Sequence, residues 1–139
     1  MTIAETEQEI IEEFEIFGED WEGKYEHLIE LGKSLPLIHP DLKTEDRIIQ
    51  GCQSRVWLNA EQKDGKMVFT ADSDAIITKG MVALMIRVLS GQAPEDIVKA
   101  ELSFVNRIGL TEHLSPTRAN GLVSMIKRMK MEALKQIKS

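Results

Sequence analysis

Apolar residues recur at helical intervals toward both ends of the chain and at every second position in its middle. Ile3, Ile10, Phe14 and Phe17 predict a first helix, opened by Thr2 and Glu5 at capping-box spacing and closed by Gly18. Asp20 is placed to cap a second helix, in which Trp21, Tyr25, Leu28 and Gly32 share one stripe. Pro36 and Pro40 bound a loop from Leu35 to Leu42 with extended backbone. The period then changes to two. Arg47 to Gln50 reads as a short strand, and Arg55 to Lys63 and Lys66 to Ala71 flank Asp64-Gly65, a tight hairpin signal. That turn sets the register. Leu58 faces Ala71, Ala60 faces Phe69 and Gln62 faces Met67 on one side; Trp57 faces Asp72, Asn59 faces Thr70 and Glu61 faces Val68 on the other.

Helical spacing returns after the hairpin. Ser73 or Asp74 is expected to cap a helix running to about Ser90, with Ile77, Met81, Leu84 and Val88 inward and Gly91 as a stop. Gly80 inside it costs about 1 kcal/mol relative to alanine, which suggests close approach of a neighbouring element. Pro94 starts a short helix with Glu95 and Asp96 in its first turn. Ser115-Pro116 opens a last helix with Leu122, Met125 or Ile126, Met129, Ala133 and Ile137 inward. The pattern predicts an α+β fold: a small three-stranded antiparallel sheet covered by helices, wet on its more polar face. No repeat or linker divides the chain, so residues 1–139 are read as a single domain.

Charge narrows the function. The chain has 23 acidic and 17 basic side chains and a net charge of -6, which disfavours nucleic acid as the main ligand. Basic residues gather late, at Lys127, Arg128, Lys130, Lys135 and Lys138, and read as the solvated face of the last helix. No apolar run approaches membrane-spanning length, and Met1-Thr2-Ile3-Ala4-Glu5 lacks the pattern of a signal peptide. A single cysteine then points to a reducing compartment, most simply the cytoplasm. The histidines, His27, His39 and His113, lie far apart with no ligand spacing, so no metal or cofactor site is expected.

Cys52 is the candidate chemical group. It falls in a loop between the short strand and the hairpin, with Gly51 before it and the polar Gln53 and Ser54 after it. A lone thiol serves either as a single nucleophile or as a small core hydrophobe, and the residues alone leave both readings open. Nearby positive charge, from Arg47, Arg55 or a distant Arg118, would enrich the thiolate. Arg118 is predicted in the first turn of the last helix, where the dipole favours anions; either it meets an anionic partner or it pairs with Glu112. Asp72 and Asp74 fit capping better than paired acid–base chemistry.

Four blocks resemble the SufE family of sulfur-acceptor proteins. They are Tyr25-Glu26-His27-Leu28-Ile29-Glu30-Leu31-Gly32-Lys33-Ser34-Leu35-Pro36, Gly51-Cys52-Gln53-Ser54-Arg55-Val56-Trp57-Leu58, Ala71-Asp72-Ser73-Asp74-Ala75 through Gly80, and His113-Leu114-Ser115-Pro116-Thr117-Arg118-Ala119-Asn120-Gly121-Leu122. Together and in this order they are highly specific. The resemblance implies a fold shared with scaffold proteins of the IscU type. It also implies that Cys52 accepts persulfide sulfur from a pyridoxal-phosphate (PLP) dependent cysteine desulfurase of the SufS or CsdA kind, activates that enzyme, and carries the sulfur to a SufBCD-like iron-sulfur cluster assembly scaffold. Gly51, Gln53 and Ser54 match the loop that presents the cysteine, and Arg118 matches an arginine expected near it, as a contact for the partner or for the sulfur's charge. Such a chain is an accessory protein rather than an enzyme.

Three rivals stand beside this reading. A scaffold that itself holds a cluster needs about four cysteine or histidine ligands, against one cysteine here. A cysteine hydrolase needs a histidine base such as His39 or His113 near Cys52. A docking-only module would activate a desulfurase with Cys52 merely structural.

Overall fold

The computed structural model describes residues 1–138; Ser139 and the side chain of Lys138, one of the late basic positions, lie outside the described residues. Helix α1 spans Ile3–Glu15 and opens on the expected capping box, with the Glu5 N–H donating to Thr2 Oγ1 at 3.1 Å and the Thr2 N–H donating to Glu5 Oε1 at 2.9 Å. Its Ile10, Ile11 and Phe14 are buried. Gly18 follows at φ +56°, a conformation that stops a helix and that glycine adopts without strain. Helix α2, Trp21–Lys33, is capped by Asp20, whose carboxylate accepts the Gly23 N–H at 3.1 Å.

Strands β1, Val56–Lys63, and β2, Lys66–Ser73, form the hairpin in the expected register, from Trp57 opposite Asp72 through Gln62 opposite Met67. Asp64 and Gly65 both have positive φ, 52° and 77°, as a primed two-residue turn demands. Val56, Leu58, Met67, Phe69 and Ala71 are buried, while Trp57, Asn59, Thr70 and Asp72 on the other face are half-buried.

Among the described residues the sheet has two strands, not the three expected. Glu45–Arg47 is a 3-10 turn, and Ile48 makes only an isolated antiparallel bridge to Trp57, with the Ile49 N–H donating to the Val56 carbonyl at 2.8 Å. The reason is a competitor for the backbone. The Arg128 guanidinium, from the last helix, donates to the carbonyls of Asp46 at 2.7 Å and Ile48 at 3.2 Å. Gly51 then turns the chain away at φ +91° before a ladder can form. On the other edge Leu37 makes one parallel bridge to Ala71.

Helix α3, Ile76–Leu89, is the central element, with Met81 through Ile86, Val88 and Leu89 all buried. It is enclosed on more sides than the single stripe expected. Its cap also differs from expectation: Ala75 is the N-cap residue and no side chain caps the helix. Ser73 Oγ accepts the Ala75 N–H at 3.3 Å, and Asp74 is engaged elsewhere. Gly80 does meet a neighbour, since α2 crosses so closely that the Gly80 amide nitrogen would lie 3.0 Å from a Cβ added at Gly32.

Among the described residues five helical segments follow the hairpin where three were expected. Beyond α3 and α4, Pro94–Lys99, the chain makes two four-residue turns, α5 at Phe104–Arg107 and α6 at Leu110–His113, before α7, Pro116–Lys138. Leu122, Met125, Met129 and Ala133 of α7 are buried, each large one contributing roughly 1.5–3 kcal/mol. Ile137, expected inward, is exposed. This packing sets the N-terminal half of α7 against the loop before β1.

Candidate functional site

The loop carrying Cys52 is fixed at three points. Upstream, Gly51 takes φ +91°, and a Cβ there would run into the Ser124 hydroxyl of α7. The positive φ requires glycine, and the space is tight as well, since any Cβ would force the Ser124 hydroxyl to rotate away. Downstream, the Arg55 N–H donates to Asp74 Oδ1 at 3.0 Å and the Ser73 hydroxyl donates to the Arg55 carbonyl at 2.9 Å. Ser73 and Asp74, expected as helix caps, instead tie the end of this loop to the β2–α3 junction. Between these anchors the Cys52 thiol donates to the Gly121 carbonyl of α7 at 3.5 Å. A Cβ on Gly121 would stand 3.6 Å from the sulfur, an ordinary contact.

Cys52 is half-buried, and it borders a cleft of about 360 Å³ together with Gln53, Ser54, Thr78, Ser115, Thr117 and Arg118. The structure therefore brings four of the expected site residues, Cys52, Gln53, Ser54 and Arg118, to one cleft; Gly51 acts from behind it. Arg118 makes no ion pair with Glu112 or with any other described residue, although its own N–H donates to Ser115 Oγ at 3.3 Å. Arg47 points away, onto Asn59 Oδ1 at 3.0 Å and Thr44 Oγ1 at 2.9 Å. Asp72 is absorbed by Lys43 at 2.6 Å and Lys79 at 3.4 Å. Among the described residues no histidine borders the cleft: His27 contacts Glu13, His39 contacts Asp41 and His113 stacks on Trp21 at 3.9 Å. Nor, among them, do three or more His, Cys, Asp or Glu side chains converge to hold a metal ion.

Sequence reasoning missed Thr78, Ser115 and Thr117 as cleft residues. Thr78 offered a faint signal, since it lies one turn before Met81 on α3 and is polar within an apolar run.

The electrostatics do not supply the positive charge that would enrich the thiolate. Burial pushes the Cys52 thiol above its ordinary pKa, and no cation offsets it. The resting group is a protonated thiol, bonded to a carbonyl. Folding favours the neutral form, so at any pH below the thiol's titration less thiolate is present than in an ordinary cysteine, and reactivity should still be climbing with pH where a free thiol has levelled off. Alkylation by iodoacetamide at pH 8 is accordingly expected to be slower in the native protein than in the same protein in denaturant. Equal rates would show that the thiol is unshielded.

Comparison with known proteins places these features in a family. The SufE profile, described as the Fe-S metabolism associated domain, matches residues 8–133. An uncharacterized SufE-like protein of Rhizobium meliloti is 42% identical over 130 residues, covering 90% of this chain and 92% of that one. One from Rhizobium etli is 39% identical over 130 residues, covering 90% and 87%. SufE-like protein 1 of Arabidopsis thaliana, termed chloroplastic/mitochondrial, is 38% identical over 128 residues, which cover 91% of this chain and 34% of that longer one. In fold, the chain matches the solution structure of a hypothetical protein from Thermus thermophilus with a TM-score of 0.80 and 23% identity, over 96% of this chain and 97% of that one. By profile and by these relatives, the chain belongs to the SufE family, whose domain is associated with iron-sulfur metabolism.

Proposed function

We propose that the chain is a persulfide carrier, one domain that serves a PLP-dependent cysteine desulfurase and supplies an iron-sulfur assembly scaffold. The observation that carries this reading is the lone thiol itself. Cys52 is the chain's one cysteine, it stands at a cleft rather than in the core, and its loop is anchored from both sides. In the step proposed, the Cys52 thiolate attacks the outer sulfur of a persulfide on the desulfurase. A new S–S bond forms at Cys52, the donor's S–S bond breaks, and the donor cysteine leaves as a thiolate. The proton lost by Cys52 as its thiolate forms is matched by the one the departing donor thiolate takes up, so the exchange needs no metal or oxidant. The chain's part is that of an accessory protein, and the cytoplasm is the compartment that suits a free thiol.

The raised pKa fits a carrier that is silent until docked. Shielding protects the thiol from stray oxidation, and a partner that lifts the Cys52 loop off Gly121 removes both the desolvation and the carbonyl bond. The same shielding favours the docking-only module as the second reading. Alanine release by the cognate desulfurase separates the two. Unmodified protein is expected to accelerate turnover, and protein alkylated at Cys52 is expected to give no acceleration. Full acceleration by the alkylated form would favour docking alone.

A further inference from the structure

The cleft beside Cys52 holds polar groups that the fold leaves unused. Thr78 is only 7% exposed, yet its hydroxyl makes no hydrogen bond to any described residue while bordering the cleft. A threonine in a helix commonly turns its hydroxyl back onto the preceding turn's carbonyls, and Thr78, bordering the cleft, does not. Across the cleft the Arg118 guanidinium has no anionic partner among the described residues, and it sits in the first turn of a 23-residue helix whose own end is positive. Ser54 and Thr117 add hydroxyls that also lack partners among the described residues. The volume of about 360 Å³ falls in the range of roughly 300–1,000 Å³ usual for small-molecule sites.

We infer that this cleft binds a small thiol bearing a carboxylate, no larger than an amino acid or short peptide, and exchanges sulfur between it and Cys52. The inference rests on the carrier reading above. A desulfurase cysteine lies within a peptide chain and brings no free carboxylate of its own, so loading from the enzyme engages Arg118 at most through the sulfur's charge or the partner's surface and gives the Thr78 hydroxyl no carboxylate to bond. A carboxylate at Arg118, hydrogen-bonded by the hydroxyls, holds a small ligand in the cleft that contains the reacting sulfur. The small thiolate attacks the outer sulfur of the Cys52 persulfide. One S–S bond forms on the small thiol and the Cys52 S–S bond breaks. Cys52 departs as a thiolate and takes a proton, so no electrons are gained or lost overall.

The test uses protein loaded by the desulfurase and then separated from it, so that docking plays no part. Loss of the sulfur is followed by intact mass after adding cysteine, cysteine methyl ester or cysteamine at matched thiolate concentration. The rate is expected to saturate with cysteine and to stay linear with the two thiols that lack a carboxylate. Arg118→Ala should make the cysteine dependence linear and slow it about tenfold at low concentration, as loss of a charge-assisted bond implies. Arg118→Lys should recover part of that rate, and Thr78→Val should slow transfer several-fold without lowering Tm. Equal, linear rates for all three thiols would overturn the inference. A second arm titrates S-methylcysteine, which cannot accept sulfur, into unloaded protein and follows the amide resonances of Thr78 and Gly121. Shifts at those amides in a protein that never loads sulfur would sink the carrier reading and leave the binding site standing. Loading without shifts or saturation would do the reverse.

Discussion

Cys52→Ser is expected to abolish sulfur uptake while leaving the fold intact. The hydroxyl is nearly the size of the thiol, and it can keep the bond that Sγ now donates to the Gly121 carbonyl at 3.5 Å. Gly51, Arg55, Ser73 and Asp74 hold the loop through backbone conformation and bonds that do not involve the sulfur. The stability change should therefore stay within about 1 kcal/mol, or about 4 °C in Tm for a chain of this size. The chemistry has no such fallback. A serine oxygen cannot take part in thiol exchange, and there is no second cysteine to take over. Incubation with desulfurase and 35S-labelled cysteine is expected to leave this variant unlabelled under non-reducing conditions, while the parent protein is labelled. Label on the serine variant would mean that sulfur is held elsewhere than on a thiol.

Gly80→Ala is expected to destabilise the protein, against the usual effect of alanine in a helix. Taken alone, the replacement favours α3 by about 1 kcal/mol. Here α2 crosses at that residue, and an added Cβ would press into the Leu28 carbonyl oxygen and stand 2.7 Å from its carbon. Those are backbone atoms of a helix and cannot rotate aside. Gly32 faces the same crossing, so the two helices meet at glycine on both sides. Overpacking usually costs about 1–3 kcal/mol and more where nothing yields. A net loss of about 2 kcal/mol, near 8 °C in Tm, is expected in thermal denaturation followed by circular dichroism. An unchanged or raised Tm would show that the helices separate freely at this crossing.

How much of this could be seen in the residues depends on how local each cause is. The hairpin was fully legible, because Asp64-Gly65 sets the turn and the period-two pattern sets the register within 18 residues of chain, from Val56 to Ser73. The caps of α1 and α2 were legible for the same reason, each being a contact three residues long. The third strand was misread because its Ile48 carbonyl, and that of Asp46 just before it, are taken by Arg128, 80 and 82 residues away. No window around Arg47 to Gln50 contains that information. Ser73 and Asp74 have the composition of helix caps, yet a loop that arrives from 18 and 19 residues earlier uses them instead. The candidate site divides in the same way. Cys52 and its flanking residues were identified from a short motif, and Arg118 from a second one. The shielding of the thiol by Gly121, and the presence of Thr78 at the cleft, required the packing of α3 and α7 around the loop. That packing also decides the electrostatics, which the residues left open: burial, and not the neighbouring arginines, governs the sulfur.

The central claim is that sulfur travels on Cys52, and intact-mass spectrometry after mixing the protein with its cognate desulfurase and cysteine tests it most directly. A gain of one sulfur atom, mapped to the Cys52 peptide and removed by a reductant, is the expected result. Accelerated desulfurase turnover with no mass gain on that peptide would contradict it.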